Sequence, residues 1–511
     1  MAISNKYDRQ LRLWGQNGQK RLNESRICLL TCSGLGTEVL KNLVLPGVGF
    51  VTLIDEKEVT ERDLGNNFFL TKEDVGQPRA QAAKKWLLEL NPDVQGESIQ
   101  SSPSQLIKQN PEFFRSFDLV VASQLTLTES AALEPFCSKL LVVKSIGLLG
   151  YLRVSGGVHL VVEGRPADKE LYDLRIHRPF SELQEFVDSI DLDSLDEKAH
   201  GHIPFVVILV KAIQEYIKEF GGPPSSFEQK DQFKQRIKNK SWNFFAEQNF
   251  VEAYDRAYLS YASEILPFEV SEILEDPNTQ NTNSESDVFW IAAKGVSRFI
   301  REEGVPPLTG LFPDMTAEST CYLALQRVYN QKAKKDLDKV LTFCEEIKNL
   351  TPEDKEFVSV FCRNLLTIEI TNYKHLTEEL KQVDSEELMS QLYEENPLVE
   401  WYFGLRAYEK FTEANGRCPG VNSECLKEDS LQVFNTAKEL ITQNGIEGCD
   451  FREEVAQELV RYGNSEIHTV CSMLGGVAAQ EAVKLITKQY SPLNNTFIFC
   501  GVDTTAQVIQ P

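Results

Sequence analysis

Residues Arg26 to Asp55, RICLLTCSGLGTEVLKNLVLPGVGFVTLID, read as a first strand (26–32), a tight turn at Ser33-Gly34-Leu35-Gly36, a helix over about 37–45 and a second strand (50–54). A strand–turn–helix of this kind suits phosphate. Small residues let the backbone come close, the helix N-terminus offers free N–H groups and partial positive charge, and an acid ending the second strand can bond a ribose hydroxyl. Asp55 stands at that place. The turn is nonetheless glycine-poor. Only Gly34 and Gly36 are present, and Val39 stands where a third small residue would fall, so a nucleotide site and a scaffold with no ligand both fit the pattern.

Working outward, two more continuously apolar strands are expected, DLVVA (118–122) and LLVVK (140–144), as buried parallel strands tend to be. A helix opens at Gly76-Gln77-Pro78-Arg79 and ends at Asn91-Pro92. Residues 147–162 read as a hairpin about Gly156-Gly157. From about 170 to 464 the patterns become amphipathic and helical, with polar interruptions at 275–287 and 415–428. A small-residue helix around Gly475-Gly476 and a last strand near 497–499 then bring the chain back to the first domain. The expected fold class is α/β, a Rossmann-like, mostly parallel sheet with a large, mainly helical insertion. The expected domains are 1–165, an inserted 166–464, and a return segment 465–511. Close packing against another element is the expected reason for both helical glycines.

The N-terminal segment places Tyr7, Leu11 and Trp14 on one helical face, with Gly15 as a stop, and Asp8, Arg9 and Arg12 on the other. By pattern alone those arginines are a solvated face. The net charge of -23 argues against nucleic acid and anionic membrane as partners. Eleven cysteines with no Cys-x-x-Cys imply reduced thiols, and the polar N-terminus lacks a signal core, so the cytoplasm or nucleus is expected. His200-x-His202 has no third ligand nearby, and no metal site is expected.

The segments Tyr7-Asp8-Arg9-Gln10-Leu11, Leu35-Gly36-Thr37-Glu38, Lys41-Asn42-Leu43, Gly76-Gln77-Pro78-Arg79 and Gly475-Gly476-x-x-Ala479-Gln480-Glu481 together resemble the adenylation fold of enzymes that activate ubiquitin-like proteins. Further stretches, Gly65-Asn66-Asn67-Phe68-Phe69 and Phe312-Pro313-Asp314-Met315 among them, extend the likeness nearly end to end to the non-catalytic subunit of a heterodimeric member. The departures from active members carry the most information. Their Gly-x-Gly-Gly-Leu-Gly turn is here Thr31, Cys32, Ser33, Gly34, Leu35 and Gly36. Their phosphate-contacting Arg falls within Asp63-Leu64-Gly65-Asn66-Asn67, where no cation stands. Arg79 replaces a Lys, and the Mg²⁺-binding Asp aligns near Leu125, which cannot ligate a cation that takes oxygen. No cysteine precedes a Thr as the thioester-forming one does.

The resemblance implies that this chain alone does not adenylate. A lost electrostatic donor costs about 3 to 4 kcal/mol in a transition state, and here several are gone. The chain would pair with a catalytic subunit that carries ATP and Mg²⁺, bind the ubiquitin-like modifier, and meet the conjugating enzyme through the complex. Ser33, Gly34, Gly36, Asp55 and Arg79 would be relic cofactor positions. Arg9, with Arg12 as the alternative, would reach the partner's ATP in trans. Two other readings remain open at this level: a self-sufficient adenylating enzyme, and a Rossmann-fold NAD-dependent oxidoreductase using Asp55.

Overall fold

A computed structural model describes residues 6–164, 172–261, 266–393 and 397–511. Helix α1 (Asp8–Glu24) leads into β1 (Arg26–Leu30), α2 (Gly34–Val44), β2 (Phe50–Ile54), α3 (Arg79–Glu89), β3 (Gln95–Ile99), β4 (Leu119–Ser123), β5 (Leu140–Ile146) and β6 (Leu149–Ser155). The chain then runs through a helical region containing α4 (Phe205–Phe220) and α5 (Phe227–Lys240). It returns with α6 (Val399–Asn415), α7 (His468–Thr487) and two closing strands, β7 (Thr496–Cys500) and β8 (Thr505–Ile509). The eight strands form one sheet in the order β8-β7-β6-β5-β4-β1-β2-β3. Strands β1 to β5 are parallel, with Cys28 beside Thr52 on one side and Val120 on the other, whereas β6, β7 and β8 run antiparallel. The α/β class is as the sequence implied.

Both faces of the sheet are covered. Alternation along β1 sends Ile27 and Leu29 to one face, where they meet Leu22, Val39, Leu87 and Leu474 from the helices there. Cys28 and Leu30 go to the other, which packs on Trp401, Tyr402, Phe411 and Leu459. The second packing layer moves an expected boundary. The compact units are 1–161 with 370–511, and 162–369, so residues 370–464 belong with the sheet and the insertion does not run to 464. The unit over 162–369 has its own core, built on Phe205, Leu209, Phe233, Ile237, Phe250 and Tyr329.

The expected hairpin is displaced by one element. Strand β6 pairs with β5, bringing Ile146 beside Leu149, so the reversal falls at Gly147-Leu148 and Gly156-Gly157 ends β6 without turning it within this sheet. Gly15 interrupts α1 with φ 68° and ψ -179° but does not end it, and the helix resumes to Glu24. Among the described residues, no helix is long and apolar enough to cross a membrane.

Only one of the paired helical glycines is there for close approach. A Cβ on Gly475 would lie 2.8 Å from Glu38 Cβ and 3.0 Å from Glu38 C, where α7 crosses α2. A Cβ on Gly476 would meet nothing within 4 Å. We expect Gly475→Val to destabilise the protein by about 1–3 kcal/mol through overpacking. Gly476→Ala should be neutral or stabilising by up to about 1 kcal/mol, because alanine has the better helix propensity. Paired urea titrations test this, and equal midpoints for the two variants would refute the assignment.

Candidate functional site

The strand order reverses at β1, with β2 on one side and β4 on the other, and open α/β sheets place ligands beyond the carboxyl ends of strands at such a point. A cavity of about 840 Å³ lies there, lined by Thr31 and Ser33 after β1, Asp55 after β2, Gln124 and Leu125 after β4, and Lys144 of β5. Thr31 and Gln124 hold φ of 70° and 59°, left-handed values that a side chain adopts at a cost. Thr31 does so at the place where active members of the resembled family have glycine.

The helix N-terminus is already occupied. Ser33 caps α2 by accepting from the Gly36 N–H (3.1 Å), and its hydroxyl meets that of Ser123 (2.9 Å). The next two free N–H groups, where phosphate oxygen would sit, donate to Glu466: Gly34 N–H to Oε2 at 3.0 Å and Leu35 N–H to Oε1 at 3.1 Å. Gln124 Nε2 donates to Oε1 of the same carboxylate at 2.9 Å. The protein's own anion therefore satisfies the dipole and the orphan donors together.

Asp55 and Arg79, the other two relic positions, are spent on each other. Arg79 Nε and Nη2 reach Asp55 Oδ2 at 2.8 and 2.7 Å, and Nη1 reaches Asp63 at 3.0 Å. Asp55 also accepts from the N–H groups of Cys32 (2.7 Å) and Lys57 (2.9 Å), and only 2% of it is exposed. Burial works to lower the Arg79 pKa, and the charges of Asp55 and Asp63 overcome it and hold the guanidinium above its ordinary value. Burial likewise raises the Asp63 carboxyl, while bonds from Thr60 and the nearby Arg79 bring it below its usual range. The cation that could have met phosphate is thus locked to two carboxylates.

The rest of the cavity is no better suited. Leu125 is 6% exposed at the aligned metal-ligand position. Lys144 is paired with Glu409 at 2.6 Å, and Glu409 also accepts from the Leu127 N–H at 2.9 Å. Seven carboxylates line the space against four cations, a balance that repels a polyanion. The donor set does not fit a nucleoside triphosphate with its divalent cation. Of these residues, Glu466, Gln124 and Glu409 were not anticipated. Glu466 is 432 residues from Gly34 and belongs to no motif.

Arg9 and Arg12 sit on α1, away from this cavity, which neither of them lines. The helix is fastened by Tyr7 Oη to Asp93 (3.0 Å), Gln19 Nε2 to the Pro46 carbonyl (2.9 Å) and Gln489 Nε2 to the Trp14 carbonyl (2.9 Å). Arg12 is ion-paired with Asp8 at 3.0 Å. Arg9 is exposed and forms no ion pair or hydrogen bond among the described residues. Both guanidinium groups face solvent, and of the two Arg9 is the one without a counter-charge.

The remaining sequence candidates are structural. His200 is stacked between Trp242 (4.3 Å) and Phe250 (4.9 Å), and its Nδ1 lies 2.5 Å from Glu247. His202 Nδ1 instead meets the Lys198 carbonyl at 2.7 Å, so the two imidazoles have separate partners. Burial pushes the Cys28 and Cys32 thiols well up, Cys137 to about 12 and Cys449 to about 11, which makes them poor thiolates.

Comparison with known proteins identifies the relatives of this chain. The ThiF family matches residues 7–199. Over 99% of its length the chain is 37% identical to the NEDD8-activating enzyme E1 regulatory subunit of Xenopus laevis, covering 98% of that protein. It is also 37% identical to the NEDD8-activating enzyme E1 regulatory subunit AXR1 of Arabidopsis thaliana, covering 96% of it. The Drosophila melanogaster regulatory subunit is 35% identical over 99% of the chain and 97% of its own length. A sheet with a degenerate nucleotide turn and an end-to-end likeness to these proteins lead to one conclusion: the chain belongs to the family of NEDD8-activating enzyme E1 regulatory subunits.

Proposed function

We propose that this regulatory subunit of the neddylation pathway adenylates nothing by itself and acts as the scaffolding half of a heterodimer. A separate catalytic subunit would hold ATP and Mg²⁺, adenylate the C-terminus of the ubiquitin-like modifier, form the thioester and pass the modifier to a conjugating enzyme. This chain would contribute binding surface for the modifier and Arg9, reaching the partner's ATP phosphates in trans, with Arg12 as the alternative. Arg12 is the weaker candidate because Asp8 already neutralises it. The cytoplasm or nucleus suits a chain whose cysteines are free thiols.

The observation that carries the reading is Glu466 on the N–H groups of Gly34 and Leu35. An active adenylating site must leave those donors for the nucleotide. The test is modifier-dependent ATP:pyrophosphate exchange by this chain alone, by the catalytic subunit alone and by their mixture. Exchange is expected in the mixture and at background in this chain, and exchange by this chain alone would overturn the proposal. Glu466→Ala should not restore exchange, since Leu125 and the Asp55–Arg79 lock remain. It should instead lower stability by about 1–3 kcal/mol, the cost of leaving buried donors unmet. Exchange by the isolated Glu466→Ala chain would show that the carboxylate is the sole barrier and that the domain is a masked enzyme.

A further inference from the structure

In the unit over 162–369, α5 carries Lys230, Lys234 and Lys238 at four-residue intervals, so their attachment points form one row about 6 Å apart along the helix. Each is held over aromatic rings: Lys230 over Tyr261 (5.4 Å), Lys234 over Tyr254 (5.2 Å), and Lys238 over Phe244 (5.2 Å) and Phe245 (5.8 Å). The other cations of this helix are neutralised within the fold, Lys240 by Glu215 at 2.7 Å and Arg236 by Glu219 at 2.5 Å. Among the described residues, no carboxylate lies within 4 Å of the three row lysines. Asp231 follows Lys230 on the same helix but pairs with none of them. In a chain with 76 acidic and 53 basic residues, three adjacent lysines without a carboxylate run against composition.

Exposed rings stand at both ends of the row. Phe227, on the same face of α5 by helical spacing, is 83% exposed, and Phe245 beyond the helix is 89% exposed. Two exposed rings flanking cations that lack a counter-charge complement a segment that is acidic between apolar residues. Cation–ring contacts hold the lysines in place, which lowers the entropy lost when they bind.

We propose that this face of α5 docks an acidic segment of a partner protein, with carboxylates facing Lys230, Lys234 and Lys238 and apolar residues meeting Phe227 and Phe245. The spacing fits acids four apart on a helix or two apart on an extended chain, since both recur at about 6–7 Å. A net charge of -23 disfavours nucleic acid and anionic membrane, whose charge extends far beyond a 12 Å row and meets the rest of this protein.

The test is fluorescence anisotropy on the full chain. The probe is a labelled synthetic peptide of about 18 residues, with Glu at alternate positions and a Phe near each end, against a counterpart in which every Glu is Gln. The Glu peptide is expected to bind about tenfold or more tighter at low salt and to weaken as salt rises. K230E/K234E/K238E should reduce its affinity about tenfold or more, and F227A/F245A by about threefold or more. The milder K230Q/K234Q/K238Q variant keeps the test alive if the charge reversals disturb folding, which circular dichroism would report. Equal affinity for the Glu and Gln peptides, or unchanged binding by the lysine variants, would overturn the proposal. Tighter binding of a single-stranded oligonucleotide or a phosphatidylserine vesicle, lost in the same variants, would also overturn it in favour of another class of partner.

Discussion

Replacing Arg9 by alanine is expected to lower modifier-dependent ATP:pyrophosphate exchange by the heterodimer about 10²- to 10³-fold, the usual cost of removing one hydrogen-bond donor aimed at developing transition-state charge. The reasoning starts from availability. Arg9 has no partner among the described residues, whereas Arg12 is held by Asp8 and Arg79 by Asp55 and Asp63. A guanidinium needs a fixed base to stabilise developing charge, and α1 supplies one through the bonds of Tyr7 to Asp93, Gln19 to the Pro46 carbonyl and Gln489 to the Trp14 carbonyl. Arg9→Lys keeps the charge but loses the planar fork, so it should recover only part of the loss. Arg12→Ala should stay within about threefold of the unmodified enzyme, as expected for an exposed ion pair. Gel filtration must show the heterodimer intact, because α1 could serve assembly instead. Exchange within about threefold for Arg9→Ala, or a larger loss for Arg12→Ala, would remove Arg9 from the site.

What could be read from the residues alone depended on whether a pattern was local. The first strand, turn, helix and second strand were legible because their strands are continuously apolar and the turn carries Ser33, Gly34 and Gly36. Strand β3, QGESI, was not, because an edge strand with mixed exposure has no alternation to read. The Gly156-Gly157 pair looked like a hairpin turn, yet β6 pairs backward to β5 and onward to β7, a choice settled by partners far along the chain. At the site, Ser33 and Asp55 could be placed because strand ends are local features, and Arg79 and Leu125 because they fall at or near positions of the resembled family's motifs. What holds them could not be read: Glu466 on the Gly34 N–H and the Asp55–Arg79–Asp63 ion pairs join residues that no local pattern links.

The same limit hides a fully buried ion pair of the sheet unit, and breaking it should have a large effect on stability. Arg153 of β6 and Glu379 form an ion pair in which both side chains are 0% exposed. Arg153 also donates to Asn495 Oδ1 (2.9 Å) and the Lys374 carbonyl (2.7 Å). Glu379 accepts from Tyr402 Oη (2.8 Å), which in turn accepts from Arg406 (2.7 Å). The network ties an interior strand to α6 and to the chain entering it, within the unit in which residues from 370 onward pack with the sheet. Glu379→Ala leaves the Arg153 guanidinium buried without its counter-charge and is expected to cost about 3–5 kcal/mol, read as a lower urea midpoint. Replacing both charges, as Arg153→Met with Glu379→Leu, should regain most of that loss, because the penalty comes from an unpaired buried charge rather than from a missing attraction. A loss below about 1 kcal/mol for Glu379→Ala would mean that Asn495 and the Lys374 carbonyl suffice to solvate the guanidinium. The double variant separates the two accounts: if it is no more stable than Glu379→Ala, the pair contributes directly, and if it recovers, the pair chiefly fixes which segment returns to the sheet.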